Sequence, residues 1–304
     1  MEAAYIGVDA GGTKTALRLS GPAGPAQPDA LGPGVNLQRD GLEQSATVLA
    51  DLLRPALEAL APDQPVSACA GVSGAGRASD QTALREAIRT RLGRPDLPLL
   101  VTHDAELALE AVFGAESGTA CIAGTGSVVY GRTRNGEILR AGGWGARLGD
   151  EGSGTAVGQA AARAVARALD GGPATSLSDL FAEHVGLRTP DDLIRWTYRE
   201  DGAFARLAPL VLQAAATDPV ADAILLAQSD LLIQDVRRLA SRAADRLAPR
   251  ITFLGGLAGE PVYRRYLNAA LRRHLPRWTA VEATAEPVEG AVRRARRWAA
   301  EGAR

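Results

Sequence analysis

Two stretches of this chain repeat one pattern. "YIGVDAGGTKT", Tyr5–Thr15, runs from an apolar strand into a glycine-rich turn and on toward a second apolar strand, and "TACIAGTGSVVYGRT", Thr119–Thr133, does the same. A third passage, "ITFLGGLAG", supplies a strand and a glycine turn with no returning strand. The glycine stretches suit neither helix nor strand, so the first two passages read as hairpins closed by loops. Two such units in one chain suggest two related halves, each presenting a ring of backbone N–H groups. Ordinary hairpins give the same pattern, so the echo gains its weight from what lies around it.

Around it, β and α signals alternate. Ala4–Asp9 and Ala16–Ser20 read as strands, Leu42–Leu60 as a helix, Val66–Ser73 as a strand, Gln81–Leu92 as a helix and Leu97–Thr102 as a strand. Beyond the second hairpin, helices are expected from Glu151 to about Leu169, in two or three pieces over Ser176–Ala216, and over Asp218–Leu247 behind a good N-cap. A strand at Ile251–Leu254, a helix at Pro261–His274, a strand near Thr279–Glu282 and a helix at Val288–Ala300 complete the chain. The alternation predicts an α/β protein with mixed sheets, helices on their faces, and ligands at the carboxyl ends of strands.

Composition narrows the chemistry. The 304 residues carry 34 basic and 35 acidic side chains, so no net field favours nucleic acid or an anionic membrane. A small partner fits better. No window reaches the ~18 uninterrupted apolar residues of a membrane span, and no basic segment leads into an apolar one at the N-terminus, so a cytoplasmic protein is expected. Cys69 and Cys121 each sit in an apolar run rather than a metal-binding cluster, which suits two buried thiols in a reducing compartment. Lys14 is the single lysine, and it falls in the first glycine loop.

Glycines let the main chain approach a polyphosphate and turn several N–H groups toward it. Gly11 and Gly12 form such a cradle, to which Thr13, Lys14 and Thr15 could add donors, while Asp9 at the strand end is placed to hold a phosphate-bound magnesium ion. The loop is neither a GxxxxGK[ST] phosphate loop nor a GxGxxG turn opening a helix. Phosphoryl transfer also needs a carboxylate that takes the proton of the attacking hydroxyl. "VTHDAELA" offers Asp104 between a strand and a helix, where an Asp also serves as an ordinary N-cap, with His103 beside it as a packing or supporting residue. In "GGWGARLGDEGSG", Gly142–Gly154, Trp144 could stack on the apolar face of a sugar while Asp150 accepts from its hydroxyls; the same residues could instead plug a core and cap a helix. Arg293, Arg294, Arg296 and Arg297 read as a solvated terminal helix.

Taken in this order, "GVDAGGTKT", "THDA", "AGTGS", "GGWGARLGDEGS" and "FLGGLAG" resemble the actin-like ATPase superfamily of sugar kinases and heat-shock chaperones. Within it they are most similar to the N-acetylglucosamine kinase branch of the BadF/BadG/BcrA/BcrD ATPase family. The resemblance spans essentially the whole chain. It implies two related ribonuclease H-like domains, each a mixed five-stranded sheet flanked by helices, with ATP held in an inter-domain cleft. The first would cover residues 1–113 plus 288–304, and the second 114–287 with a helical insertion. By the same resemblance, Asp9–Thr15 and Gly124, Thr125, Gly126 and Ser127 grip the phosphates of a magnesium–ATP complex, and Gly255 and Gly256 form the adenosine turn. Asp104 becomes the catalytic acid that orients and deprotonates a sugar 6-hydroxyl. Asn36, Ser127, Val128, Gly143, Trp144, Gly145 and Asp150 line the hexose pocket. Val128 departs from the more polar residue of the animal kinases, and the segment Gly21–Gly34 carries no family hallmark. The implied activity is phosphorylation of N-acetylglucosamine, with glucosamine or another hexosamine as alternative acceptors and a non-kinase ATPase or sensor as the alternative class. A homodimer accords with the resemblance. The family's iron–sulfur-linked activators need clustered cysteines, which this chain lacks.

Overall fold

The structure is a computed structural model that describes residues 2–21, 24–25, 30–199 and 202–302. It falls into two compact units: the described residues through Glu116 together with those from Ala283 onward, and Ser117–Glu282.

The first unit begins with the hairpin of β1 (Ala4–Ala10) and β2 (Lys14–Gly21), paired from Tyr5 opposite Ser20 to Ala10 opposite Thr15. β3 (Gly24–Pro25) and β4 (Ala30–Pro33) both pair with β2, at opposite ends of it. The chain then forms α1 (Leu37–Glu58), β5 (Val66–Val72), α2 (Ala78–Leu92), β6 (Leu99–His103) and α3 (Asp104–Phe113). β5 runs parallel to β1, and β6 parallel to β5. Six strands thus occupy five positions, because β3 and β4 share the place beside β2.

One face of this sheet buries Ile6, Val8, Leu49, Leu53, Leu84 and Ile88 between the strands and α1 and α2. On the other face Cys69 and Leu107 pack with Ala291 and Ala295 of the closing helix, Pro287–Gly302. Gly7 permits that approach, since a Cβ there would lie 2.6 Å from the Val288 carbonyl oxygen. α1 opens earlier than its apolar spacing indicates, because Asn36 caps a first turn that breaks at Gly41 (φ 77°) before the main helix continues.

The second unit repeats the plan. β7 (Gly118–Ala123), β8 (Ser127–Arg132) and β9 (Ile138–Gly142) form an antiparallel meander. After α4 (Gly154–Leu169), α5 (Leu177–His184), α6 (Pro190–Tyr198), α7 (Ala208–Ala214) and α8 (Pro219–Ala243), the chain returns through β10 (Arg250–Leu254), parallel to β7. The short α9 (Gly256–Gly259), α10 (Pro261–His274) and the two-residue β11 (Thr279–Ala280) follow. The order β9-β8-β7-β10-β11 is that of the first sheet, position for position, so the echo of the hairpins extends to the whole topology.

The helical insertion between α4 and α8 holds Trp196 edge-on to Phe204, with ring centroids 5.2 Å apart. Asp218 starts α8, as its capping chemistry predicts: one carboxylate oxygen accepts from the Val220 and Ala221 amides, the other from Thr175 and Ser176. Among the described residues no single helix is long and apolar enough to cross a membrane; α7 and α8 pass that test only as a pair bent by 119°. Cys69 and Cys121 are unbonded and buried, and burial pushes both thiols up, Cys69 to about 12.

Candidate functional site

In the first unit the glycine turn joins β1 to β2, and it is braced from beneath. The Gly11 amide donates to Lys14 O at 3.1 Å, and the Val35 amide donates to Gly11 O at 2.9 Å. A Cβ on Gly34 would fall 2.5 Å from the Gly12 carbonyl oxygen, so the bare backbone at Gly34 is what lets this segment pass under the loop. Thr13 and Lys14 are exposed on the turn. Thr15 corrects the sequence reading, since its side chain is fully buried and its hydroxyl donates to Pro33 O at 2.7 Å. That hydroxyl binds β4 to the hairpin and is not free for a phosphate.

Asp9 lies one residue before the end of β1, beside Gly71 of β5, and Asp104 follows directly on β6. A Cβ on Gly71 would lie 3.1 Å from the Asp104 Cα, which measures how closely these strand ends converge. Burial, and then the charge of Asp104, push the Asp9 carboxyl up to about 6, while Lys14 pulls the other way. Asp9 accepts no hydrogen bond among the described residues. His103, rather than Asp104, is the N-cap of α3: its Nδ1 accepts the Ala105 amide at 3.2 Å and lies 2.8 Å from Asp104 Oδ1. Asp104 is left as the first helical residue, 27% exposed.

Asn36 belongs to the same strand-end region. Its Oδ1 accepts from the Gln38 and Arg39 amides, and its Nδ2 points to Ser73 Oγ at 3.4 Å. Ser73 forms a bridge with Asn36 and donates its amide to Ala10 O, which ties the end of β5 to the end of β1. Neither the Ser73 contact nor the reach of Arg39 to Gly12 O (3.0 Å) has a signal in the local sequence.

The second unit assembles its glycine turns in the equivalent place. Gly255, at φ 95°, sits so close to the first turn that a Cβ would lie 2.5 Å from Ala123 O and 3.1 Å from the Gly124 amide nitrogen. Gly124 and Gly256 therefore face one another across main chain. The end of the Gly142–Gly154 stretch and Thr155 after it are stitched to the same turn. Ser127 Oγ donates to Glu151 O at 2.8 Å, the Gly154 amide donates to Gly124 O at 2.8 Å, and Thr155 donates both its amide and hydroxyl to Thr125 O. Ser127 is a second correction, because its hydroxyl is committed to the chain and only 6% of the residue is exposed.

Asp150 joins the two parts of this arrangement. It is buried in a left-handed conformation (φ 63°), its Oδ1 accepts the Gly145 amide at 3.0 Å, and its Oδ2 lies 2.8 Å from where a Cβ on Gly126 would stand. Burial pushes its carboxyl up, opposed by the hydrogen bonds from the Gly145 and Ser127 backbone. Trp144 is 70% exposed under the Arg140 guanidinium, which stands 5.6 Å from the ring centroid. Trp144 thus plugs no core. Val128 packs on Gly143, whose own Cβ would meet a Val128 methyl at 2.7 Å.

The candidate catalytic and ligand-binding residues therefore fall on one of two strand-end clusters, one in each unit. Asp9, Gly11–Thr15, Asn36 and Asp104 gather in the first unit. Gly124–Val128, Gly143–Gly145, Asp150, Gly255 and Gly256 gather in the second. No group of three or more potential metal ligands occurs among the described residues.

This duplicated sheet, with a glycine turn closing the first hairpin of each copy, is a fold shared with a solved ROK family glucokinase of Streptomyces griseus, which superposes with a TM-score of 0.55 at 18% identity, covering 97% of this chain and 98% of that one. The chain belongs to the BadF/BadG/BcrA/BcrD ATPase family, whose model matches residues 6–295. It is similar to an N-acetylmuramic acid/N-acetylglucosamine kinase of Clostridium acetobutylicum, with 31% identity over 67% of each chain. Similarity to an N-acetyl-D-glucosamine kinase of Dictyostelium discoideum is 28% over 95% of this chain and 96% of that one. A crystal structure from Chromobacterium violaceum that carries a provisional N-acetylglucosamine kinase name superposes with a TM-score of 0.74 at 30% identity, covering 95% of this chain and 98% of that one.

Proposed function

We propose that the chain is an ATP-dependent kinase that transfers the γ-phosphoryl group of ATP to the 6-hydroxyl of N-acetylglucosamine. The observation that carries this reading is the pair Asp9 and Asp104, two carboxylates at neighbouring strand ends, close enough that the charge of Asp104 helps to raise the Asp9 carboxyl. The names of the similar proteins support the substrate.

Asp104 acts as the general base. Its carboxylate accepts the hydroxyl proton as the sugar oxygen attacks the γ-phosphorus; the bond to the β-phosphate oxygen breaks, and ADP and the sugar 6-phosphate result. Asp9 fits a magnesium ion, since it is a carboxylate raised by burial and by a like charge, without a hydrogen bond among the described residues. A divalent cation bound there neutralises phosphate charge. Gly11–Lys14 and the Gly124–Gly126 backbone receive the phosphates, and Gly255 and Gly256 the adenosine. Trp144 offers a stacking face to the hexose, and Asn36, Gly145 and Asp150 offer polar contacts.

The test is ATP consumption measured with N-acetylglucosamine, glucosamine, glucose, N-acetylmannosamine and N-acetylmuramic acid, with the sugar phosphate identified by mass and its position by nuclear magnetic resonance. N-acetylglucosamine 6-phosphate is the expected product. Turnover independent of sugar would replace the kinase by an ATPase, and tight nucleotide binding without turnover would replace it by a sensor.

A further inference from the structure

Gly152 is gripped from two sides. On α8, Gln228 Oε1 accepts the Gly152 amide at 2.9 Å. On α10, the hydroxyl of Tyr263, a fully buried residue, donates to Gly152 O, also at 2.9 Å. Gly152 is pressed onto α8 in a left-handed conformation (φ 74°), where a Cβ would lie 2.6 Å from Leu232 Cβ. The backbone on either side of this clamp is the part that is stitched to the Gly124–Ser127 turn through Glu151 O, the Gly154 amide and Thr155. Gly152 therefore lies inside the run of backbone that is hydrogen-bonded to that turn.

We infer that Gln228 and Tyr263 are positioning residues that set the phosphate-binding geometry of the Gly124–Ser127 turn by holding Gly152. This rests on the reading of that turn as a nucleotide contact. Both residues are out of reach by sequence logic, 76 and 111 positions from the glycine they hold. The two bonds hold the two peptide units that flank the Gly152 Cα, one through its N–H and the other through its carbonyl. Each bond anchors backbone rather than another side chain, and that gives it leverage: a shift of Gly152 displaces three linked peptides together.

The experiment measures MgADP binding by titration calorimetry and thermal unfolding on the full chain. Gln228→Met, which removes the acceptor but keeps the shape, and Tyr263→Phe, which removes only the hydroxyl, are each expected to weaken MgADP by about five- to tenfold, the effect of losing one hydrogen bond. Gln228→Glu keeps an acceptor and is expected to stay within about twofold of the parent. Leu225→Ala removes packing from a fully buried position of α8 that is not among the groups closing on Gly152; it should lower Tm while leaving MgADP affinity unchanged. Parent-like binding by both Gln228→Met and Tyr263→Phe would overturn the inference. So would a loss of affinity in Leu225→Ala that matches theirs, because the effect would then follow stability alone. A parent chain that does not bind MgADP would overturn the nucleotide reading itself, a result separable from either of these.

Discussion

Asp9 and Asp104 stand close enough across the ends of β1 and α3 that, after burial, the charge of Asp104 is the next largest influence raising the Asp9 carboxyl to about 6. An unfolded-chain carboxyl titrates near about 4, so the folded chain holds a proton that the unfolded chain releases between about pH 4 and 6. Stability contributed by that proton is present at low pH and lost as pH rises through 6. Asp9→Asn removes the charge, and it should leave the ligand-free chain more stable than the parent above pH 6, by on the order of 1–2 kcal/mol after allowance for partial solvent access, with little difference at pH 4. Urea unfolding at both pH values measures this. The same variant should lose magnesium-dependent turnover, so a parent-like metal requirement would remove Asp9 from the cation site.

Asp104→Asn should lower kcat by about 10²–10⁴, the usual contribution of a positioned base, with nucleotide affinity changed by less than about threefold. His103 holds the N-cap position of α3, and the asparagine keeps a side-chain oxygen able to accept the Ala105 amide as Asp104 Oδ1 does at 2.8 Å. Unfolding free energy should therefore move by less than about 1 kcal/mol, which separates loss of the base from loss of the fold. Sugar phosphorylation retained at parental rate would reject the assignment.

What the sequence displayed and what it concealed divide along contact range. Apolar runs and glycine turns are local, so β1, β2, β7, β8 and β10 were legible, as were the positions of Asp9, Asp104 and Gly255 at strand ends. Thr15 and Ser127 were misread because a hydroxyl in a glycine loop looks available, whereas their acceptors, Pro33 O and Glu151 O, lie 18 and 24 residues away. The cap of α3 passed to His103 because β6 ends at the histidine itself, leaving Asp104 already helical. β3 and β4 are held by the edge of β2 they pair with rather than by periodicity of their own, and at two and four residues they give a sequence reading little to work on, whereas β11, Thr279–Ala280, lies inside the strand expected near Thr279–Glu282.

Glu110 of α3 is 2% exposed and binds the Arg297 guanidinium of the closing helix through both carboxylate oxygens, one at 2.7 Å. Removing Arg297 takes this two-pronged guanidinium contact from a carboxylate that has little access to water. Arg297→Met should cost about 3–5 kcal/mol, while the double change Glu110→Leu/Arg297→Met should recover most of it, since a well-packed apolar pair replaces a buried ion pair at little cost. Denaturant unfolding of the two variants provides the comparison. A double variant no more stable than the single one would show that the contact is valued for geometry that apolar side chains do not reproduce.

Lys14 carries the only ε-amine in the chain and is exposed on the turn between β1 and β2. An amine-directed acylating reagent therefore has two targets, this side chain and the α-amine, and peptide mass mapping tells them apart. If the turn receives phosphates, acylation of Lys14 should abolish most turnover in step with its extent, because it replaces a cation by a bulky neutral amide in the cradle. MgATP at ten times its dissociation constant should slow acylation of Lys14 about tenfold by occupancy alone and leave the α-amine rate unchanged. Lys14→Arg keeps the charge and offers no primary amine, so it should resist inactivation by the same reagent. Unprotected labelling of Lys14 in saturating nucleotide would move the phosphates away from this loop.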